Sequence, residues 1–483
     1  MTDILNSING IIWSNAMILL CIGAGIYFSI ATRFLQITNF RDMLKLLFAK
    51  ATNDSGVSSF QAFAIALCGR IGTGNIVGVA TAIAMGGPGA VFWMWTIAVL
   101  GSATAYIEAT LGQIYKEKKD GEYRGGPAFY IEKGIGVKWY AMLFALVTII
   151  STGLLLPSVQ SNSISSSVQT AFDIPTHYTG IALVILVILI ISGGIKRISK
   201  FSEIIIPIMS GGYILLGLII IGLNIGEVPA MLSLIFKSAF GFEEAFGGII
   251  GAAISWGVKR GIYSNEAGQG TAPHAASAAA VTHPAKQGLV QAFSVYVDTL
   301  LVCTVTAFMI LITGQYNVTP MGAETIVENI PGVDYTAFTQ YAIAQEFPAM
   351  GKAFVAIALF CFAFTTIIAY YYMAETNFAY LDKNNKFFKY GKWGIALMVL
   401  FSTYYGAVKT ADAAWTLGDI GVGAMAWLNL IAILILRKPA LKALKDYRAQ
   451  KKAGKDPHFN PKELGIKNAD YWENPTKDDS FEI

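Results

Sequence analysis

The chain has 483 residues, 54% of them hydrophobic and 14% charged, with a mean hydropathy of +0.54. Soluble proteins carry about 25% charged residues, so the composition excludes an ordinary soluble domain and implies a polytopic membrane protein. The net charge of +4 says little by itself and calls for no nucleic-acid partner; Cys21, Cys68, Cys303 and Cys361 all lie in apolar segments without a CxxC pair, against a disulfide framework or a metal site.

A membrane span needs about 20 apolar residues. About eleven segments qualify: 11–31, 60–85, 91–114, 139–161, 179–195, 203–224, 245–280, 287–313, 351–380, 393–408 and 412–436. The first lacks a basic n-region and a small-residue cleavage site, so it reads as a retained helix. The second contains GRIGTGNIVG at 69–78. Lipid offers no partner to a free backbone N–H or C=O, so a broken helix survives there only against protein or a water-filled cavity. Gly72, Gly74 and Gly78 allow the backbone geometry and close approach, and Thr73 and Asn75 add donors and acceptors. Gly74 and Gly78 also make a GxxxG packing pair, which leaves Thr73 and Asn75 unexplained. The spacing is not that of a phosphate loop, and no Walker lysine follows.

In the fourth span Gln160 and Asn162 follow Pro157. The seventh contains GVKRGIYSNEAGQGTAP at 257–273. A charge such as Glu266 costs about 2.5–3.5 kcal/mol at the centre of a span, so it needs a partner, and Lys259 and Arg260 are nearest in sequence. Carbonyls around Tyr263 and Ser264 are placed to accept from an ammonium group. In the ninth span, Thr365 and Thr366 either bond back to their own helix or present two hydroxyls to a hard cation; the residues alone leave both readings open. From 437 to 483 the chain is polar, basic first and then acidic (Asp478, Asp479, Glu482). It reads as a solvated cytoplasmic tail, with contact of 437–455 to anionic lipid as the alternative.

Charge placement sets orientation. The segments 32–59, 115–138, 196–202, 281–286, 381–392 and 437–483 hold 29 of the 35 Lys and Arg; the opposite loops hold only Lys237, Lys352 and Lys409. The N-terminus is therefore expected outside and the tail inside. The other three, Arg70, Lys259 and Arg260, lie in or beside the broken segments.

Setting 11–31 aside leaves ten helices. The first of each five is broken, and an odd number per half inverts the second half. The expected fold is all-α: a 5+5 inverted repeat plus one extra N-terminal helix, with a transporter domain at 1–436 and repeats at about 60–224 and 245–436. Paired interruptions near the midplane point to a secondary transporter, with freed N–H groups for a carboxylate and freed carbonyls for a cation. The rivals are weaker. A channel would need a filter loop or rings of charge. An enzyme finds no support: His177, His274, His283 and His458 make no HExxH, and there is no GxSxG. Coupling to protons stays open through Glu266, Asp298 and Glu375.

Four runs carry a family likeness: GRIGTGNIVGVATAI at 69–83, GGPGAVFWMWTIAVLG at 86–101, SNEAGQGTAPHAA at 264–276 and HPAKQGLVQAF at 283–293. Over residues 10–436 the chain resembles the alanine or glycine:cation symporters. That resemblance implies a leucine-transporter type of fold and sodium-driven uptake of a small neutral amino acid (alanine, glycine or glutamine) into the cell, with no cofactor beyond the coupling ion; the asymmetric site itself fits one pathway per chain. It implies that Thr73, Gly74 and Asn75 hold the substrate carboxylate, that carbonyls near Tyr263 and Ser264 face its amino group, and that Gln160 lines the pocket. Sodium would sit between carbonyls at about Gly69 and Gly72 and the hydroxyls of Thr365 and Thr366. One departure stands out. Alanine-transporting relatives carry a G-W-S-Y-Y-G-E-like run where this chain has Ala369 to Glu375, so Tyr370 replaces the tryptophan. A smaller ring with a hydroxyl suits a larger or more polar substrate such as glutamine, or is a packing exchange.

Overall fold

The computed structural model describes residues 2–53, 56–119, 121–322, 324–382 and 387–473. Its principal helices are α1 (Asn15–Ala31), α2 (Ser59–Arg70), α3 (Val79–Gly86), α4 (Gly89–Ile114), α5 (Lys138–Phe172), α6 (Thr176–Ile191), α7 (Gly194–Leu223), α8 (Val228–Ala239), α9 (Ile250–Asn265), α10 (Ala272–Ala278), α11 (Pro284–Ile312), α12 (Gly351–Leu381), α13 (Phe388–Val408), α14 (Ala411–Ile435) and α15 (Arg437–Lys452). The only strands among the described residues are two short hairpins, Glu117–Lys119 with Glu122–Arg124 and Asn317–Val318 with Val327–Glu328.

Among the described residues seven helices are long and apolar enough to cross a membrane, or nine when each bent pair is taken as one span. This falls short of the eleven expected from sequence. α6 has only 16 residues. α13 is diluted by Lys389, Lys392, Ser402, Thr403 and three tyrosines. The chain is a multi-pass membrane protein.

α4 packs along α9, α10 and α11, and α5 packs along α12, α13 and α14. Close approach needs small residues: a Cβ at Gly257 of α9 would sit 2.5 Å from the Ala90 carbonyl oxygen of α4. α7 turns most of its apolar surface outward, as a lipid-facing helix does: of an apolar 18-residue stretch within Arg197–Leu223 only 28% is buried.

Interruptions follow local chemistry. α2 starts from a reciprocal cap, with Ser58 Oγ accepting from Gln61 N–H and Gln61 Oε1 from Ser58 N–H. It ends at Arg70, and the chain resumes at a π-helical turn, Gly74–Gly78, with the axis bent by 54°. Pro157, which has no N–H, follows a second such turn at Ser151–Leu155. The break near 257–273 is narrower than its glycines suggest. Residues 257–265 are helical, and α9 yields only at Glu266, held left-handed at φ 55°. A separate 44° bend lies between Ala239 and Glu244.

The basic segments gather at one end of the bundle. Arg448 donates to Thr38 and Asn39, Thr52 N–H to the Ala280 carbonyl, and Lys119 to the carbonyls of Ala379 and Asp382. Away from that end Thr319 N–H donates to the Ala84 carbonyl.

The expected solvated tail is corrected by the structure. Residues 437–452 form α15, which buries Ala440, Ala443, Leu444 and Tyr447. Phe459, Ile466, Tyr471 and Trp472 are buried beyond it. Aromatic side chains in a polar segment found an apolar surface to cover. Asp478, Asp479 and Glu482 lie outside the described residues.

Candidate functional site

The two breaks face each other. A Cβ on Gly74 would lie 3.0 Å from the Cα of Ser264, so glycine is what lets the first interruption reach α9. Thr73, Asn75, Gln160, Ser264, Asp298, Thr365, Thr366 and Tyr370 are all buried.

The freed N–H groups of the first break have partners inside the protein. Gly72 N–H donates to Asn75 Oδ1 at 2.9 Å, and Thr73 N–H to Gln160 Oε1 at 3.1 Å. Gln160 thus does more than line a pocket: it ties the break to α5. Asn75 likewise uses both ends of its amide. Its Nδ2 donates to Asp298 Oδ1 at 2.6 Å. Asp298 also accepts from Ser264 Oγ at 3.0 Å and from Thr299 Oγ1 at 2.6 Å. A fully buried carboxylate therefore joins both interrupted spans to α11, where a π-helical turn at Tyr296–Cys303 presents it.

Around the first break Trp415 Nε1 is buried without a partner, and Thr73 Oγ1 and the Tyr263 hydroxyl face only each other. Buried polar groups are nearly always hydrogen-bonded, so an orphaned indole N–H beside two hydroxyls with bonding capacity to spare marks where a polar solute belongs, and all three can donate to a carboxylate. They converge: Trp415 packs on Tyr263 at 5.0 Å between ring centroids, and Tyr263 lies against Thr73. The carbonyls of Tyr263 and Ser264 fall in the last turn of α9, where helix geometry leaves carbonyls free and the dipole favours a cation.

Thr366 Oγ1 donates to the Cys68 carbonyl at 2.6 Å and lies 3.4 Å from that of Ile71. The carbonyls it reaches are each one residue before the expected Gly69 and Gly72. Gly72 still borders the same spot, since its Cβ would meet Thr366 Oγ1, whereas Gly69 faces Glu266 and Met373. Thr365 bonds back to the Phe362 carbonyl at 2.8 Å.

Three residues sit elsewhere than the sequence suggests. Glu266 is not paired with Lys259 or Arg260. Its Oε2 accepts from Thr271 Oγ1 at 2.8 Å, and Arg70 is the cation nearby. Lys259 and Arg260 instead converge on Asp419, Arg260 with two bonds of 2.8 and 3.0 Å and Lys259 at 2.7 Å, beneath Trp256 and Trp415. Arg260 and Glu266 are six residues apart, more than one and a half helical turns, which places the charges on different faces. Tyr370 stands between Tyr263 and Glu266.

One functional group was missed. Glu108 of α4 accepts from the N–H groups of Gly268 and Gly270 at 3.2 and 3.1 Å and from Asn429 Nδ2 at 2.8 Å. It fills the anion-seeking amides of the second break with a carboxylate of the protein. A lone glutamate in an otherwise apolar span was the available signal.

The comparisons agree with this architecture. The model of the sodium:alanine symporter family matches residues 1–461. YrbD of Bacillus subtilis (strain 168), named as a candidate sodium/proton-dependent alanine carrier protein, is 60% identical over 98% of each chain. The sodium/proton-dependent alanine carrier protein of Bacillus sp. (strain PS3) is 52% identical over 90% of this chain and 98% of its own. A mutant of the Eremococcus coleocola manganese transporter shares the fold at a TM-score of 0.51, with 11% identity over 86% of this chain and 90% of that one. The chain belongs to the sodium:alanine symporter family, and is a membrane transporter of the amino-acid and cation symport class, not an enzyme.

Proposed function

We propose that this protein couples inward movement of sodium to uptake of a small neutral amino acid, with alanine the first substrate to test and glycine and glutamine the others, by alternating access in a single chain. The observation that carries the reading is the group of buried donors on Thr73, Tyr263 and Trp415, the last without a partner, beside the free end of α9. The donors receive the substrate carboxylate together with the backbone at Gly74. The carbonyls at Tyr263 and Ser264 receive its ammonium group. Asn75 and Gln160 hold the first break in shape, and Tyr370 closes the floor. Sodium is bound where the Cys68 and Ile71 carbonyls meet Thr366, with Thr365 and the Gly69–Gly72 turn around it, so the ion braces α2 against α12. In this reading 1–436 is the transport domain, its repeats at about 60–224 and 245–436 run oppositely, and the basic end faces the cytoplasm. Each charge moved through 100 mV supplies about 2.3 kcal/mol.

Proton coupling is the second reading, favoured by the buried carboxylates Asp298 and Glu266. The test is uptake of labelled alanine into proteoliposomes under separately imposed sodium and pH gradients, with unlabelled glycine and glutamine as competitors. Uptake driven by an inward sodium gradient at equal pH is expected. Uptake indifferent to sodium would remove the sodium reading, and glutamine outcompeting alanine would reassign the substrate.

A further inference from the structure

The segment after α15 makes more contact with the inner ends of the transport helices than a tail requires. We propose that residues 456–473 are a latch holding the inner end of the second interrupted span closed, with Trp472 as the part that seats it.

α15 follows α14 after a single intervening residue, Leu436, so the strap leaves directly from the last span. α15 packs on α4 and α11, and the segment after it runs along the inner ends of the same helices. Thr282 Oγ1 donates to the Pro457 carbonyl at 2.8 Å, Phe459 N–H returns a bond of 3.0 Å to the Thr282 carbonyl, and Lys286 pairs with Asp456 at 2.7 Å. Further on, Lys133 pairs with Asp470 at 2.8 Å, and the Tyr471 hydroxyl meets that of Tyr123 at 3.0 Å.

The seat is built around a buried cation. Lys116 is fully buried, its Nζ 4.3 Å from the ring centroid of Tyr123, 4.6 Å from Tyr471 and 5.4 Å from Trp472. The same Nζ donates to the Ala279 carbonyl at 2.8 Å, just past the end of α10. Gln113 also donates to Ala279, at 3.0 Å, and its own carbonyl accepts from Trp472 Nε1 at 2.9 Å. The strap's aromatic rings thus complete the shell that lets Lys116 stay buried and hold the carbonyl end of α10.

Gln113 and Lys116 at the end of α4 both hold the Ala279 carbonyl, so any motion that parts the inner end of α10 from α4 must break the shell that Trp472 completes. The outer anchors suit release, since the carboxylates of Asp456 and Asp470 are largely exposed and exposed ion pairs hold weakly. A latch present in one state and absent in the other shifts the balance toward the closed form. This inference goes beyond the transport reading, and its readout needs neither the amino acid nor the ion.

The reporter is Ser277, fully buried in α10. Full-length Ser277→Cys protein in liposomes is treated from the tail side with a small thiol reagent, the parent chain serving as blank for the four native cysteines. Adding Trp472→Ala is expected to speed labelling about fivefold or more, the usual scale of such couplings, and Trp472→Phe, which keeps a ring but no N–H, to fall between. Asp470→Ala cuts only an exposed anchor and leaves the core intact; it is expected to speed labelling less, and it decides the matter if Trp472→Ala fails to fold. Labelling unchanged in folded Trp472→Ala, or in Asp470→Ala where that variant alone folds, would overturn the latch.

Discussion

Thr366 shows how one hydroxyl can carry an ion requirement. It reaches the Cys68 and Ile71 carbonyls across the first break, so it is the group of α12 that senses whether that break is closed. Removing a hydrogen-bonding partner of this kind costs about 1.4 kcal/mol, or a factor of ten in affinity. Thr366→Ala is therefore expected to raise the half-saturating sodium concentration roughly tenfold in proteoliposome uptake, with Thr365→Ala smaller because both hydroxyls bond back to Phe362 but it is Thr366 that also reaches the carbonyls of the first break. Equal sodium dependence in Thr366→Ala and the parent would count against the site. The polar residues of both breaks were legible in the sequence because lipid tolerates them only for a reason. Which carbonyls meet the threonines was not, because that depends on a rotation of α12 against α2 that no spacing encodes.

At the level of elements, α11 begins at a histidine cap that is also an anchor for α15. His283 Nδ1 accepts from Ala285 N–H at 3.1 Å, so the ring N–H is on Nε2 and donates to Asp446 Oδ2 at 3.2 Å. Burial pushes the His283 pKa down, and the bond from His283 holds the Asp446 carboxyl below its usual range. Both folded values lie below the unfolded ones. The stability they supply is complete above the ordinary histidine range, near 6.5, and is lost as pH falls, first through His283 and then through Asp446. Protonating Nδ1 also removes the cap. Hydrogen exchange over 282–286 and α15, corrected for intrinsic rates, is expected to be several-fold faster at about pH 5 than at about pH 7.5 in the native chain and nearly flat in His283→Gln. Equal protection at both pH values would refute the linkage. The tail that carries Asp446 reads from sequence as solvated, because a basic, low-hydropathy segment gives no sign of the surface it will cover.

On the scale of the molecule, described residues of the basic segments at 32–59, 115–138, 281–286, 381–392 and 437–473 contact one another at one end, and Thr319 of the acidic loop bonds to Ala84 away from it. With positive charge retained in the cytoplasm, a membrane-impermeant thiol reagent added to intact cells should label Met321→Cys, whose parent residue is 78% exposed, and spare Lys455→Cys. The reverse pattern would invert the proposed topology.

Sequence alone settled the class, the family likeness, the presence of two interruptions and the grouping of charge, because each follows from what a hydrocarbon layer rejects within a few residues of chain. Tertiary structure decided which charges pair, where the second break opens and what the tail covers. Arg260 meets Asp419, Glu108 fills the amides of Gly268 and Gly270, and Trp472 seats on Lys116. These partners are far apart along the chain, and only the packing of whole helices fixes their distances.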